Sequence, residues 1–145
     1  MSTANSLLSR AVALLARREH SRFDLARKLL RYTDNQEEIA HVLHRLQEKG
    51  LQCDRRFAET YVRSRHERFG VQRLRYELVQ QQVDEHIINE VLAPLQESEY
   101  ERAYRVWARK FNQAAHDQRE YARQYRFLGQ RGFSSDTIRK VLSST

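Results

Sequence analysis

The residues whose side chains are best suited to bind a ligand are arginines, which are dense between Asp54 and Leu78. Only four of the 26 basic residues in the chain are lysine, so the positive charge is mostly guanidinium. A guanidinium is planar and binds phosphate or carboxylate through several donors, whereas a lysine ammonium behaves more as a point charge. Together with a net charge of +7, this composition predicts an anionic partner, either a nucleic acid or an acidic protein groove.

The candidate contact residues are cations that lie in three separate parts of the chain. For any single arginine the alternative interpretation is an ordinary solvated surface residue. As a set, they are the side chains expected to meet phosphates if the protein binds nucleic acid: Arg17, Arg18, Arg22, Arg63, Arg65, Arg68, Arg109 and Lys110.

The histidines and the cysteine do not form a recognisable catalytic or metal-binding pattern. His41 and His44 are three residues apart on a predicted helix, but no third ligand accompanies them. The lone Cys53 cannot form an internal disulfide, which fits a reducing compartment. No glycine-rich phosphate loop occurs, and paired carboxylates lie at helix starts, where capping explains them. We therefore expect no enzymatic activity, no metal and no cofactor.

Aromatic residues interleaved with arginines are a second candidate for nucleic-acid contact. Trp107, Tyr104 and Tyr125 could stack on bases. Their spacing, however, is typical of the buried face of a helix. Core packing is the favoured interpretation for all three residues.

The composition favours an all-α protein. One proline and four glycines in 145 residues leave few helix breakers, and no run of alternating β-branched residues indicates a strand. The longest apolar run, Ala11 to Ala16, is too short to cross a bilayer. We expect a cytoplasmic protein.

Apolar residues recur with a period that divides the chain into three. Leu29, Leu78 and Leu128 are 49 and 50 residues apart, and the same spacings separate Ile39, Ile88 and Ile138, as well as the pairs Val42-Leu43, Val91-Leu92 and Val141-Leu142. Shared spacing predicts three tandem three-helix repeats over residues 1–52, 53–96 and 97–145. The alternative is chance, because any amphipathic helix can offer such residues. Small repeats bury little surface alone, so they should stack into an elongated, curved body.

Polar residues and glycines predict where the helices begin and end. Asp54 is predicted to cap its own helix, and Gly70 to end that helix with a positive φ. Ser98 and Glu101 have the spacing of a capping box. Other predicted caps are Ser21, Asp34 or Asn35, Asp84, Asp117, and Ser134 or Ser135, with Gly50 and Gly132 as stops.

Positive charge is uneven along the chain. Residues 1–50 carry nine basic and six acidic groups, residues 51–96 seven of each, and residues 97–145 ten and six. The excess therefore lies in the two ends. This distribution predicts a contact surface that extends along the body rather than a single central pocket.

The ordered motifs resemble those of the RecX family, the regulators of the RecA recombinase. The first repeat contributes the run from Ala16 to Leu25 and Lys28-Leu29. The second contributes Asp54-x-Arg-Phe-Ala58, Tyr61-Val-Arg-Ser-Arg65, Gly70, Arg73-Leu74 and Glu77-Leu78, and the third Phe127-Leu128 and Arg131-Gly132-Phe133. One position departs from the family, because Gln82 stands where glycine is usual. If that residue is left-handed, glutamine costs about 1 kcal/mol.

The resemblance implies three tandem three-helix repeats in a cytoplasmic bacterial protein without enzymatic activity. It implies binding in the groove of the RecA–DNA filament and suppression of recombinase, ATPase and coprotease activities. Arg65 and Arg73 match the family motif and are either partner contacts or junction residues, with a structural role preferred for Arg65. The alternative function is a helical module that binds single- or double-stranded DNA directly. We expect a monomer.

Overall fold

The computed structural model describes the backbone of residues 3–145 and the side chains from residue 6 onward. Within this part of the chain the regular structure is entirely helical, as predicted. The helices are α1 (Thr3–Arg17), α2 (Arg22–Leu29), α3 (Gln36–Glu48), α4 (Asp54–Arg65), α5 (Val71–Gln80), α6 (Glu85–Leu92), α7 (Glu99–Lys110), α8 (Gln118–Gln130) and α9 (Ser135–Ser143), with a short 3-10 helix at Ala93–Leu95.

Each set of three helices has its own hydrophobic core, and we call these sets units 1, 2 and 3. The repeated leucines and isoleucines are the buried centres of the three cores. Leu29, Leu78 and Leu128 are all 0% exposed. Three separate cores in sequence confirm a tandem array of three-helix repeats. The precise boundaries between the units stay a prediction.

Most of the predicted caps are present. The side chains of Ser21, Asn35, Asp84, Asp117 and Ser134 accept hydrogen bonds from backbone N–H groups in the first turn of the helix that follows each of them. Gly50 and Gly132 follow helix ends and have positive φ, as predicted. The predicted capping box at Ser98 is wrong, because its side chain makes no cap hydrogen bond. Its hydroxyl instead donates to the Leu95 carbonyl and accepts from the Arg102 Nε.

The prediction that Asp54 caps its own helix is also wrong. Cys53 is the residue before α4, and Asp54 is the first residue inside it. The Asp54 carboxylate instead accepts the Arg22 backbone N–H at 2.9 Å. Because Arg22 begins α2, Asp54 satisfies a free amide at the start of a helix in the preceding unit.

Gly70 has a different role from the predicted one. Its φ is −81°, and it is the residue before α5 rather than a left-handed helix end. Its N–H donates to the Arg131 carbonyl at 2.7 Å, and the Gln72 N–H donates to the Gly132 carbonyl at 3.2 Å. A Cβ atom at Gly70 would overlap the Gly132 carbonyl group, and one at Gly132 would overlap Arg73. Glycine is required here because two backbones approach each other closely.

Two buried side chains from α7 complete the junction between units 2 and 3. Glu99 accepts the Val71 N–H at 3.0 Å, so it caps α5 as Asp54 caps α2. Its second oxygen accepts the Thr137 hydroxyl at 2.8 Å. Arg102 is 2% exposed and donates to the carbonyls of His66, Phe69 and Leu95. Burial lowers the pKa of the Arg102 guanidinium, and nearby Glu99 acts in the opposite direction.

The junction between units 1 and 2 relies on side chains. The Ser21 hydroxyl donates to Gln81 Oε1 at 2.6 Å, and Arg56 pairs with Glu19 at 2.6 Å. Gln52 donates to both the His20 carbonyl and the Asp54 carboxylate. Among the described residues, no backbone N–H of one of these two units donates to a backbone carbonyl of the other.

The departure at Gln82 has the consequence expected from the sequence. Gln82 has φ of 56°, so this non-glycine residue adopts the left-handed conformation at the end of the second helix of unit 2. The corresponding residue in unit 3 is Gly132, with φ of 91°. The turn therefore keeps the geometry of the repeat, and Gln82 has the steric strain of a non-glycine residue with positive φ.

Candidate functional site

A groove rich in cations lies where unit 2 meets unit 3, and we call it the basic groove. Its volume is ≈ 410 Å³. One wall comes from the end of α4 and the turn after it, and the other from α7, α8 and the residue that follows α8. Ser64, Glu67, Val106 and Phe127 contribute to the lining. Its cations are Arg63, Arg68, Arg105, Arg109, Lys110 and Arg131.

The amphipathic character of α4 and α7 explains why these cations point away from the cores. In α4, Phe57, Ala58 and Val62 are buried in the unit 2 core, which leaves Arg63 exposed. In α7, Ala103 and Trp107 are buried, and the exposed arginines lie on other faces of the helix. Arg105 and Arg109 are four residues apart and so lie one turn from each other.

The cations of the basic groove lack acidic partners. None of the six forms an ion pair within the described part of the chain, which includes every carboxylate side chain. By contrast, Arg55 outside the groove pairs with Glu90 at 2.6 Å. Lys110 and Arg131 lie over the Phe127 ring at 5.5 and 5.1 Å. Unneutralised like charges repel, so their convergence favours a site for an anion.

The junction described above holds the two walls of the basic groove in place. Arg102 ties the turn that precedes Gly70 to α7, because it donates to the His66 and Phe69 carbonyls at 2.6 and 2.9 Å. Arg68 lies in that turn. Arg131 lies beside Gly132 and accepts the Gly70 N–H through its own carbonyl. The groove is therefore preformed, which reduces the entropy cost of binding.

A second groove, between units 1 and 2, has mixed charge. It is lined by Arg18, Arg27 and Arg65 together with Glu19 and Asp24, and it shares Ser64 with the basic groove. Asp24 pairs with Arg27 at 2.8 Å, Lys28 at 3.3 Å and Arg18 at 3.6 Å. Burial opposes ionisation of Asp24, but Lys28 and Arg27 outweigh it and lower the pKa of this carboxyl group. Arg18 and Arg27 therefore share one carboxylate, whereas Arg65 forms no ion pair within the described part of the chain.

The structure brings together only some of the predicted contact residues. Arg63, Arg68, Arg109 and Lys110 line the basic groove. Arg17, Arg18 and Arg22 belong to unit 1 and do not line it. Their role in binding stays a prediction.

The two arginines of the family motif lie against aromatic rings. Arg65 stacks on the Tyr61 ring at 3.9 Å and lines the mixed groove. Burial, followed by the hydrogen bond to Glu77, raises the pKa of Tyr61 to about 12. Arg73 stacks on Phe69 at 4.1 Å and donates to the Gln130 carbonyl at 3.3 Å, so it belongs to the junction of units 2 and 3.

Two groove residues were not among the predicted contacts. Arg105 precedes Arg109 by one helical turn, and this i, i+4 spacing was a usable signal. Arg131 adjoins Gly132 within a quoted motif, but its position opposite α4 depends on a contact between distant parts of the chain.

The aromatic residues divide into buried and exposed ones. Trp107 is 4% exposed, and its indole N–H donates to Gln124 at 2.8 Å. Tyr125 packs against the same core. The prediction of core packing is wrong for Tyr104, which is 39% exposed as a residue.

No cluster of three or more metal-ligating side chains occurs among the residues that the structure describes. His44 contacts Glu48 at 2.6 Å on the surface of α3. His20 is buried, and burial lowers its pKa. In the same residues, no helix is long and apolar enough to cross a membrane.

Comparison with known sequences decides the family. Residues 54–92 match the family model described as "RecX, second three-helix domain", and residues 97–142 match "RecX, third three-helix domain". The regulatory protein RecX of Leptothrix cholodnii is 46% identical over 94% of this chain and 87% of its own length. The chain belongs to the RecX family. The RecX protein of Herminiimonas arsenicoxydans is 42% identical over 94% of this chain and 91% of its own.

Solved structures of RecX proteins share the fold. The crystal structure of RecX from Lactobacillus salivarius superposes with a TM-score of 0.82 at 18% identity, covering 98% of this chain and 96% of that one. A second RecX crystal structure gives 0.83 at 23% identity and covers 97% and 73%. The three-unit architecture is therefore common to RecX proteins of low sequence identity.

Proposed function

We propose that this RecX-family protein binds the RecA–DNA nucleoprotein filament and inhibits its recombinase, ATPase and coprotease activities. It acts by binding, without a cofactor or enzymatic activity of its own, as a monomer in the bacterial cytoplasm. Its effect is to restrain DNA recombination and repair. The observation that carries the proposal is the preformed groove with six unpaired cations in a chain of this family. A filament of protein and DNA offers the anionic surface that such a groove requires.

The test is a titration of RecA ATPase activity on single-stranded DNA with the purified protein. ATP hydrolysis should fall at amounts of protein well below those of RecA, because a protein bound in the filament blocks its extension. If the protein is equimolar with RecA and both ATP hydrolysis and strand exchange are unchanged, the proposal is contradicted.

A charge-reversed variant connects the function to the groove. Arg63→Glu combined with Arg68→Glu changes two exposed side chains on the α4 wall, and inhibition should weaken at least tenfold. The matched control is Arg31→Glu with Arg45→Glu, which changes the same charge in unit 1 away from the groove. If the groove variant is folded and inhibits RecA normally, the contact surface lies elsewhere.

A further inference from the structure

We propose that the basic groove binds the phosphodiester backbone of a DNA strand and reads no bases. The proposal deepens the proposed function, since the filament supplies such a strand. It assigns the groove to phosphates rather than to acidic residues of the protein partner.

The ratio of charges in the groove is the first argument. Six cations, of which five are arginines, face one carboxylate, Glu67. Helix termini explain part of this set, because Arg63 lies in the last turn of α4, Arg109 and Lys110 lie in the last turn of α7, and Arg131 is the C-terminal cap of α8, where cations offset the helix dipole. That explanation does not apply to Arg105, in the middle of α7, or to Arg68, three residues beyond the end of α4. These two need another reason to converge with the other four.

The shortage of apolar anchors is the second argument, and it favours DNA over a protein surface. Protein interfaces are usually centred on exposed aromatic or apolar residues that fill a pocket of the partner. In the basic groove the apolar lining consists of Val106 and Phe127, both only partly exposed. Lys110 and Arg131 already lie over the Phe127 ring. A backbone of regularly spaced phosphates needs no such anchors.

The same geometry argues against base recognition. Unstacked bases bind single-strand proteins by stacking on free aromatic faces. Trp107, the one tryptophan of the chain, is buried beneath the α7 wall and engaged with Gln124. Guanidinium groups, in contrast, bind phosphate through paired donors. Contacts to phosphate position a protein on DNA without reading its sequence.

The extent of the site follows from the neighbouring groove. The two grooves meet at Ser64, but beyond it Arg18 and Arg27 pair with Asp24. A strand that continues towards unit 1 therefore gains one further cation without an ion pair in the described part of the chain, Arg65. If each of the six groove cations meets one phosphate, the slope of log K against log salt is about −4 for a single strand.

The test uses fluorescence anisotropy to measure binding of labelled DNA to the full chain between 0.05 and 0.5 M KCl. The two probes are fluorescein-labelled oligothymidylate and a labelled mixed-sequence strand of equal length. The variant is Arg105→Gln with Arg109→Gln, and its matched control is Arg31→Gln with Arg45→Gln. Removing two phosphate contacts should make the slope shallower by about 1.4 and weaken binding about 25-fold at 0.1 M salt. Arg63→Gln with Arg68→Gln, on the opposite wall, should have the same effect. The two DNA sequences should bind equally.

RecA ATPase inhibition by the same variants separates this proposal from the proposed function. Lower affinity, a shallower slope and indifference to base sequence support phosphate binding. Groove variants that bind both strands like the wild type, yet no longer inhibit RecA, overturn it in favour of an acidic protein surface and leave the proposed function intact. A wild type that binds both strands weakly and without salt dependence also overturns it, as does a strong preference for one sequence.

Discussion

The two junctions between units use equivalent positions in different ways. At both, the first residue of a unit's first helix carries a carboxylate that accepts the first amide of the second helix in the unit before it. These residues are Asp54 for α2 and Glu99 for α5. At the next point of contact they diverge. Ser21 reaches Gln81 through side chains, whereas Gly70 bonds directly to the Arg131 carbonyl.

From this difference we infer that one residue type can change the stiffness of a repeat array. A glycine allows two backbones to meet, and their hydrogen bonds cannot be lost through a change of side-chain rotamer. A serine keeps the backbones apart and leaves contacts that depend on mobile side chains. The basic groove lies at the glycine junction, where backbone hydrogen bonds join the two units that form its walls.

Arg102→Met should have the largest effect on stability. The side chain is buried and donates to three carbonyl groups of the turns around it, so its loss leaves these carbonyls unsatisfied and should cost about 3–5 kcal/mol. Urea unfolding measures the change. Arg56→Met at the other junction, where the side chain is 43% exposed, should cost about 1 kcal/mol. Similar losses at both positions contradict the difference between the junctions.

Gly70→Ala tests the close approach of the backbones. The new methyl group would overlap the Gly132 carbonyl, and the forced separation should cost about 2–3 kcal/mol. Ser21→Ala at the equivalent position removes a cap and the bond to Gln81, which should cost about 1 kcal/mol. Urea midpoints compare the two. A Gly70→Ala protein as stable as the wild type shows that the backbone contact is dispensable.

Glu99→Gln and Asp54→Asn test what the junctions share. Each change keeps an acceptor oxygen but removes the charge that strengthens the hydrogen bond to a helix N-terminus, so each should cost about 1 kcal/mol. Amide hydrogen exchange at Val71 and Arg22 should accelerate in the respective variants. Acceleration at only one of the two amides means that the carboxylates are not equivalent.

Gln82→Gly should have the smallest effect, and it should be stabilising. Relief of the left-handed strain at φ of 56° is worth about 1 kcal/mol, offset in part by the greater freedom of glycine in the unfolded chain. The thermal unfolding midpoint measures the gain. Gln80→Gly, two residues earlier inside α5, is the control and should be destabilising. A destabilised Gln82→Gly protein contradicts the assignment of strain to this residue.

The two wrong predictions for unit 2 share a cause. Asp54 and Gly70 were interpreted through the helix next to them, because capping rules describe local structure. Their hydrogen-bond partners are Arg22 and Arg131, which are distant in sequence and belong to other units. Ser98 differs, because its hydroxyl is engaged by Leu95 and Arg102.

The candidate site was predicted only in part, again because sequence patterns describe local features and not contacts between units. The charge totals of the units described the middle one as neutral, and they did not show that Arg63 and Arg68 face one groove while Asp54 is turned into a junction. The net charge of a unit does not say which way its charged side chains face. The α4 and α7 cations were accessible from helical periodicity, whereas Arg131 required the tertiary contact.

By itself, the sequence determined the helical class, the three units, their core residues and most helix ends. These depend on periodicity and on caps that act within a few residues, so they can be inferred from local order. The tertiary structure decided which carbonyl meets Gly70, which amides Asp54 and Glu99 satisfy, and which cations converge in the basic groove. These contacts depend on how one unit is oriented on the next, and that orientation is set by packing between residues that are distant in the sequence.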